Sequence, residues 1–145
     1  MADIVKVEVL GLKQLDEALG QLKLSTAKNV LRRTGRKALA PFDEAWRARA
    51  PEHTHALERS GGVGSNLTRE QRRSHERESF VEVFAGPGPL PQAIQQEFGN
   101  INHPPQPYFR PAWEATKDQV LQIVVDTLGG EIAASARRAA ARAKR

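Results

Sequence analysis

Seven of the nine prolines in this chain fall between Pro87 and Pro111. A proline lacks a backbone N–H, fixes φ near −65° and drives the residue before it out of the helical region. Such a stretch forms neither a central strand nor a long helix, so it must be a stiff corner between two folded parts. Gly86-Pro87-Gly88-Pro89-Leu90-Pro91 has few donors and reads as a rigid turn. Residues 92–98 read as a short helix carrying Ile94 and Phe98, broken by Gly99. The run from His103 to Pro107 is extended, and Pro111 sits where a new helix starts.

The residues before this corner change period several times. Val5, Val7 and Val9 alternate with Lys6 and Glu8, which predicts a half-buried strand ended by Gly11. Leu12, Leu15, Ala18, Leu19 and Leu22 then share one helical face. Ser25 and Thr26 are suited to cap a second helix, with Val30, Leu31, Ala38, Leu39, Phe42, Ala45 and Trp46 on its apolar side. Pro41 inside that pattern predicts a kink or short break, and Pro51 requires the helix to stop by Ala50. Residues 51–62 are turn-like. Residues 65–79 hold one large apolar side chain, Leu67, and read as an exposed loop or hairpin tip. Phe80 to Ala85 reads as a strand, paired with the segment around Ser60 to Val63.

After the corner, Trp113, Val120, Ile123, Val124 and Leu128 outline a third helix that Gly129-Gly130 is expected to end. Residues 131–143 read as an Ala-rich helix that is marginal alone. The expected fold is α+β: a small antiparallel sheet packed by two or three helices, with a long loop or hairpin excursion. One domain over 1–128 precedes a basic helical extension over 129–145. A chain of 145 residues is long enough to bury a real core.

Composition narrows the chemistry. The absence of cysteine excludes disulfides, thiolate metal sites and cysteine nucleophiles. Glu52-His53-Thr54-His55 lacks a third ligand at a supporting spacing. Gly61-Gly62-Val63-Gly64 lacks the Lys-Ser/Thr of a phosphate-binding loop, and no Gly-x-Ser-x-Gly occurs. Glu97 has no second carboxylate nearby in sequence, so it reads as a hydrogen-bonding anchor rather than a general base. No metal, cofactor or enzymatic role is indicated. No apolar run reaches the roughly 20 residues of a membrane span, and no basic, then apolar, segment opens the chain. A protein made in a cytoplasm, or assembled there, is expected.

The net charge is +5, yet residues 131–145 hold five basic side chains, Arg137, Arg138, Arg142, Lys144 and Arg145, against one acid. Residues 1–130 sum to only +1. A basic tail is drawn to polyanions, nucleic acid first among them. Arg69, Arg72, Arg73 and Arg77 are interspersed with Glu70, Glu76 and Glu78, and read as a solvated loop or as an arm that orders on contact. A small mixed domain with a rigid corner and an underprovided helix reads as a subunit completed by its neighbours.

The residues of the corner carry a resemblance. Glu97-Phe98-Gly99-Asn100, then His103-Pro104, then Pro107-Tyr108-Phe109-Arg110-Pro111-Ala112, resemble the pattern E-F/Y-G-T, spacer, P-F-x-R-P-A of tailed-bacteriophage neck proteins. This is the family named after the tenth gene product of a lambdoid siphophage, also called head–tail joining or tail-completion proteins. Val9-Leu10-Gly11-Leu12, the leucines at 15, 19 and 22, and the run from Ala50-Pro51 to Leu57 and Ser60 are similar to its N-terminal half. The sequence departs from the pattern at His55 for glycine, Asn100 for threonine and Ile94 for tyrosine, and the extension from Glu131 lies outside it.

The resemblance implies a non-catalytic virion protein of the neck, assembled in the host bacterial cytoplasm. Its implied partners are copies of itself in a ring, of six or alternatively twelve subunits, a head-closure or adaptor protein, and a tail terminator or tail tube protein. Non-specific contact with genomic DNA through the basic tail is a further implied partner, and a membrane is not. In this reading Glu97 fixes the path of 104–111, with Phe98, Gly99 and Pro111 shaping the corner. Tyr108 and Phe109 anchor either the loop to its own core or a neighbouring subunit, and Arg110 pairs across a boundary. The alternative is a small basic module binding nucleic acid without sequence preference. That alternative requires a contiguous basic face on the folded body.

Overall fold

In the computed structural model, which describes residues 12–51 and 56–144, two long helices run antiparallel and carry everything else. The chain order is α1 (Leu12–Gly20), α2 (Leu24–Arg49), α3 (Ala56–Arg59), β1 (Gly62–Gly64), α4 (Arg69–Ser74), β2 (Phe84–Gly86), α5 (Pro91–Phe98) and α6 (Phe109–Ala143). The predicted strand over residues 3–10 and the His53–His55 pair lie outside the described residues. The fold is α+β: β1 and β2 form a two-stranded antiparallel sheet, Gly62 opposite Gly86 and Gly64 opposite Phe84, packed on the helices.

The seam between α2 and α6 follows from residues spaced by four. Val30, Thr34, Ala38, Phe42 and Trp46 form the buried row of α2. Ala112, Thr116, Val120, Leu128, Ile132 and Ser135 are the buried residues of α6. Spacings of three and four keep side chains on one helical face. The partners run in opposite order. Trp46 meets Tyr108, Phe42 stacks edge-on with Phe109 and Trp113 at 5.0 and 5.3 Å, and Val30 packs with Leu128 and Ile132. Leu19 and Leu22 close the Val30 end.

Arg47 ties α2 to the sheet. Its Nε donates to Asp43 Oδ2 at 3.0 Å, and its other nitrogens donate to the carbonyls of Glu58 and Gly61. At Gly61, φ is +64° and a Cβ would lie 2.0 Å from the Gly86 carbonyl oxygen, so the turn into β1 admits only glycine.

Several sequence expectations are corrected. Helix α2 begins at Leu24 with Lys23 as its cap and no side-chain cap bond, so Ser25 and Thr26 lie inside the helix. Pro41 does not break α2, because Ala38 and Phe42 on either side of it are held in the core. The expected strand from Phe80 contracts to Phe84–Gly86, and Phe80 is 75% exposed. The polar excursion contains α4, which Thr68 and Gln71 start by exchanging reciprocal side-chain bonds to backbone N–H groups. Ile94 and Phe98 face outward from α5, and Ala93 and Glu97 face inward.

The largest correction is at Gly129-Gly130, which does not end α6. Leu128 and Ile132 on either side are buried against Val30, and Glu131 accepts both Nε and Nη2 of Arg33 at 3.2 and 3.0 Å. Tertiary packing here outweighs the cost of helical glycine, about 1 kcal/mol per residue relative to alanine. A Cβ at Gly130 would meet nothing within 4 Å. Replacing Gly130→Ala should therefore raise unfolding stability by about 0.5–1 kcal/mol, read as a higher urea midpoint at unchanged slope.

Candidate functional site

The proline-rich corner is organised by one carboxylate. Pro91 occupies the first turn of α5, where its missing N–H costs nothing, and Glu97 follows in the last turn on the same side as Ala93. Glu97 is 8% exposed. Its Oε2 accepts from the backbone N–H of Tyr108 and of Phe109, both at 2.9 Å, and its Oε1 accepts from that of Arg110 at 3.1 Å. These are the N-cap and first two residues of α6, whose N–H groups have no partner inside the helix. The next residue is Pro111, which has no N–H to satisfy. Glu97 and Pro111 thus complete the start of α6 between them, with negative charge at the positive end of the helix dipole.

The rest of the corner is held as firmly. Tyr108 Oη donates to the Ala93 carbonyl at 3.0 Å, bracing α5 against α6. Gly99 ends α5 at φ +75°, where a Cβ would lie 2.7 Å from Pro105 N. Gln106 N–H donates to the Gln96 carbonyl at 2.7 Å. Asn100 Oδ1 accepts from the N–H of Asn102 and of His103, which closes the turn between them. Both oxygens of Glu97 are engaged with backbone, so the carboxylate serves as a structural cap.

Outside this lock the surface is apolar. Ile94, Phe98 and Ile101 are 68%, 57% and 103% exposed. The Arg110 guanidinium lies 4.6 Å from the centre of the Phe98 ring, with its Nε 4.0 Å from Glu97 Oε1. A groove of about 880 Å³ runs between α5 and the β2 side of the corner, with Leu67, Phe84, Leu90, Ile94 and Phe98 among its walls. Tyr108 is buried in the core, and Phe109 packs against it half-buried. Phe98, Arg110 and Pro111 remain on the outside.

The arginine-bearing arm borders the same groove, with Thr68, Glu70 and Gln71 on its wall. Arg69, Arg72 and Arg73 are on the exposed α4, and Arg72 Nε donates to the Leu67 carbonyl at 3.2 Å. Arg77 donates to the carbonyls of Ser79 and Phe80, and so shapes its own turn. His75 Nε2 and Glu82 Oε2 are 2.8 Å apart, and that contact with the Glu78 N–H holds the Glu82 carboxyl below its ordinary range. Among the described residues, no group of histidine, aspartate or glutamate is arranged to hold a metal ion. No helix among them is long and apolar enough to cross a membrane.

The basic tail residues Arg137, Arg138, Arg142 and Lys144 lie on the exposed last turns of α6, and Arg145 is outside the described residues. Their neighbours are basic residues that a charge sum over the whole body conceals. Lys28, Arg32, Arg33, Arg36 and Lys37 all lie in the N-terminal half of α2, where Arg33 reaches Glu131 on α6, Arg36 Nη2 donates to Ser65 Oγ at 3.2 Å and the Lys28 ammonium lies by the Phe80 ring, and no acid occurs between Glu17 and Asp43. The +1 sum over residues 1–130 averages this block with later acids. A windowed charge count shows it, but only the antiparallel pairing brings it beside the tail.

Two outcomes follow from the Glu97–Tyr108 lock. Replacing Glu97→Ala strands three N–H groups at the start of α6 and should cost about 3–5 kcal/mol, with Glu97→Gln costing less, by denaturant titration. Burial, and then the Glu97 charge, push the Tyr108 phenol from 10.0 up to about 12. The fold therefore favours the neutral phenol. That contribution is full below pH 10 and is lost as pH rises through about 12. Tyr108 is the chain's one tyrosine, so the ultraviolet band of tyrosinate reports it alone, and Tyr108→Phe should remove this alkaline loss of stability. Searches of family models, of curated proteins and of solved structures found no match to this chain.

Proposed function

We propose that this chain is a structural subunit of a tailed-phage neck, joining the head-closure ring to the tail as one segment of a ring around the DNA channel. The observation that carries the reading is the role of the residues that resemble the family. Glu97, Gly99 and Tyr108 are engaged with neighbouring backbone and core, while Ile94, Phe98 and Ile101 are turned to solvent beside them. Such a motif is spent on holding a rigid apolar corner. Exposed apolar groups on a stiff support are what a neighbouring subunit buries. A heterologous contact from this corner to another surface of the next copy closes into a ring when the rotation allows it. The virion neck is the proposed location, with the head-closure or adaptor protein on one side and the tail terminator or tube protein on the other.

The test is genetic and visual. Deleting the gene from the phage that encodes it should leave filled heads and free tails in negative-stain images of the lysate. Wild-type protein supplied in trans should restore joined particles, and Phe98→Asp with Ile101→Asp should not. Intact, infectious virions from the deletion overturn the reading.

A further inference from the structure

We propose that the face shared by the N-terminal half of α2 and the last turns of α6 binds the phosphate backbone of duplex DNA without reading its sequence. The inference rests on the placement of charge and stands independently of the neck reading.

The charge is segregated by the fold. Residues 12–37 hold seven basic and two acidic side chains, and residues 126–144 hold four and two. Residues 38–125 hold nine basic and eleven acidic ones. The antiparallel seam gathers the first two groups at one end of the molecule, strongly positive beside a slightly negative remainder.

The register of that end is marked by Arg33 and Glu131, whose side chains meet across the seam at 3.0 Å. On α6, Arg138 and Arg142 follow Glu131 at seven and eleven residues, spacings that return to the same side of a helix. On α2, Arg36 and Lys37 follow Arg33 at three and four. A stripe therefore runs from Lys37 past the Arg33–Glu131 pair to Arg142. At a rise of about 1.5 Å per residue it spans roughly 22 Å, or about six base-pair steps of duplex DNA. Arg137 and Lys144 flank it on the outer side of α6. Among the described residues, no acid pairs with Arg137, Arg138, Arg142 or Lys144.

Stability does not account for the arrangement. Helix α2 has no acid in its first turn and no side-chain cap, and Lys23 and Lys28 stand at the positive end of its dipole, where acids are favoured. Two neighbouring blocks of like charge also repel one another, a cost that a polyanion relieves. The chemistry of the stripe selects the polyanion. Between its basic groups the end of α6 carries only alanine from residue 139 on, with no large apolar side chain to enter a lipid surface. The end of α6 has no aromatic residue to act as a platform for unpaired bases, and the Phe80 ring by α2 has the Lys28 ammonium 5.7 Å from its centre. Guanidinium and ammonium groups on a straight rod suit evenly spaced phosphates.

The test uses the full chain and a fluorescent duplex of arbitrary sequence, titrated over a series of salt concentrations. Binding should weaken linearly in log–log form and be insensitive to the duplex sequence. Each phosphate that the protein neutralises adds about 0.9 to the salt slope. Replacing Arg137, Arg142 and Lys144 with glutamine should therefore lower the slope by about 2–3, and Arg36→Gln with Lys37→Gln by about 1–2. Arg69→Gln with Arg73→Gln on the exposed α4, where Glu70 and the adjoining Glu76 offset the charge, should leave affinity within about twofold. Circular dichroism checks that each variant stays folded. Three results overturn the proposal: no duplex binding at low salt, equal weakening by the arm variant, or weakening by the tail variant with none by the α2 variant. Equally tight binding to polyglutamate or to anionic vesicles also overturns it.

Discussion

The antiparallel packing of α2 on α6 is the contact on which the other elements depend. Both helices bury rows spaced by four, and the side chains alternate large and small across the seam: Trp46 and Phe42 stand near Ala112, and Val30 near Leu128 and Ile132. The sheet has two strands of three residues, too small to be stable in water by itself. It persists because Arg47 and the aromatic cluster fasten it to α2. Helix α1, nine residues long, is equally short of independent stability and rests on the Val30 end of the seam through Ala18 and Leu19.

At the opposite end, Glu97 determines where α6 begins. A helix start exposes N–H groups that must find acceptors, and three of them converge on this carboxylate while the fourth position is proline. This arrangement converts a flexible sequence of prolines and polar residues into a fixed corner. It also leaves Ile94, Phe98 and Ile101 on the outside, because α5 has already used its inward side for Ala93 and Glu97. Core closure and surface presentation therefore come from the same short helix, on opposite faces. The corner that the neck reading uses for subunit contact and the basic face that the DNA inference uses lie at opposite ends of α6.

The sequence was legible wherever a signal is local. The helical periods of α1 and α2, the stop before Pro51, the Pro-rich corner and the anchoring role of Glu97 can each be read from neighbours a few residues apart. The exposed excursion was legible from its lack of apolar residues, although not the capping exchange between Thr68 and Gln71 that starts α4. Ile94 and Phe98 belong to the helix that the sequence predicts, and the fold leaves them on its exposed face. Helical periodicity groups side chains, and it does not say that a buried glutamate will outrank an isoleucine when a helix start needs an acceptor.

By itself the sequence determined the α+β class, the apolar rows of the long helices and the stiffness between Pro87 and Pro111, because these follow from side-chain period and from the missing N–H of proline. Only the tertiary structure decided that α6 continues through Gly129-Gly130, since that depends on Val30 and Arg33, about 100 residues away in sequence, supplying the contacts that offset the glycines' entropy. It likewise decided that the lysines and arginines of α2 join those of the tail. Charge in sequence adds along the chain, whereas electrostatic potential adds through space, and the antiparallel seam makes the two sums differ.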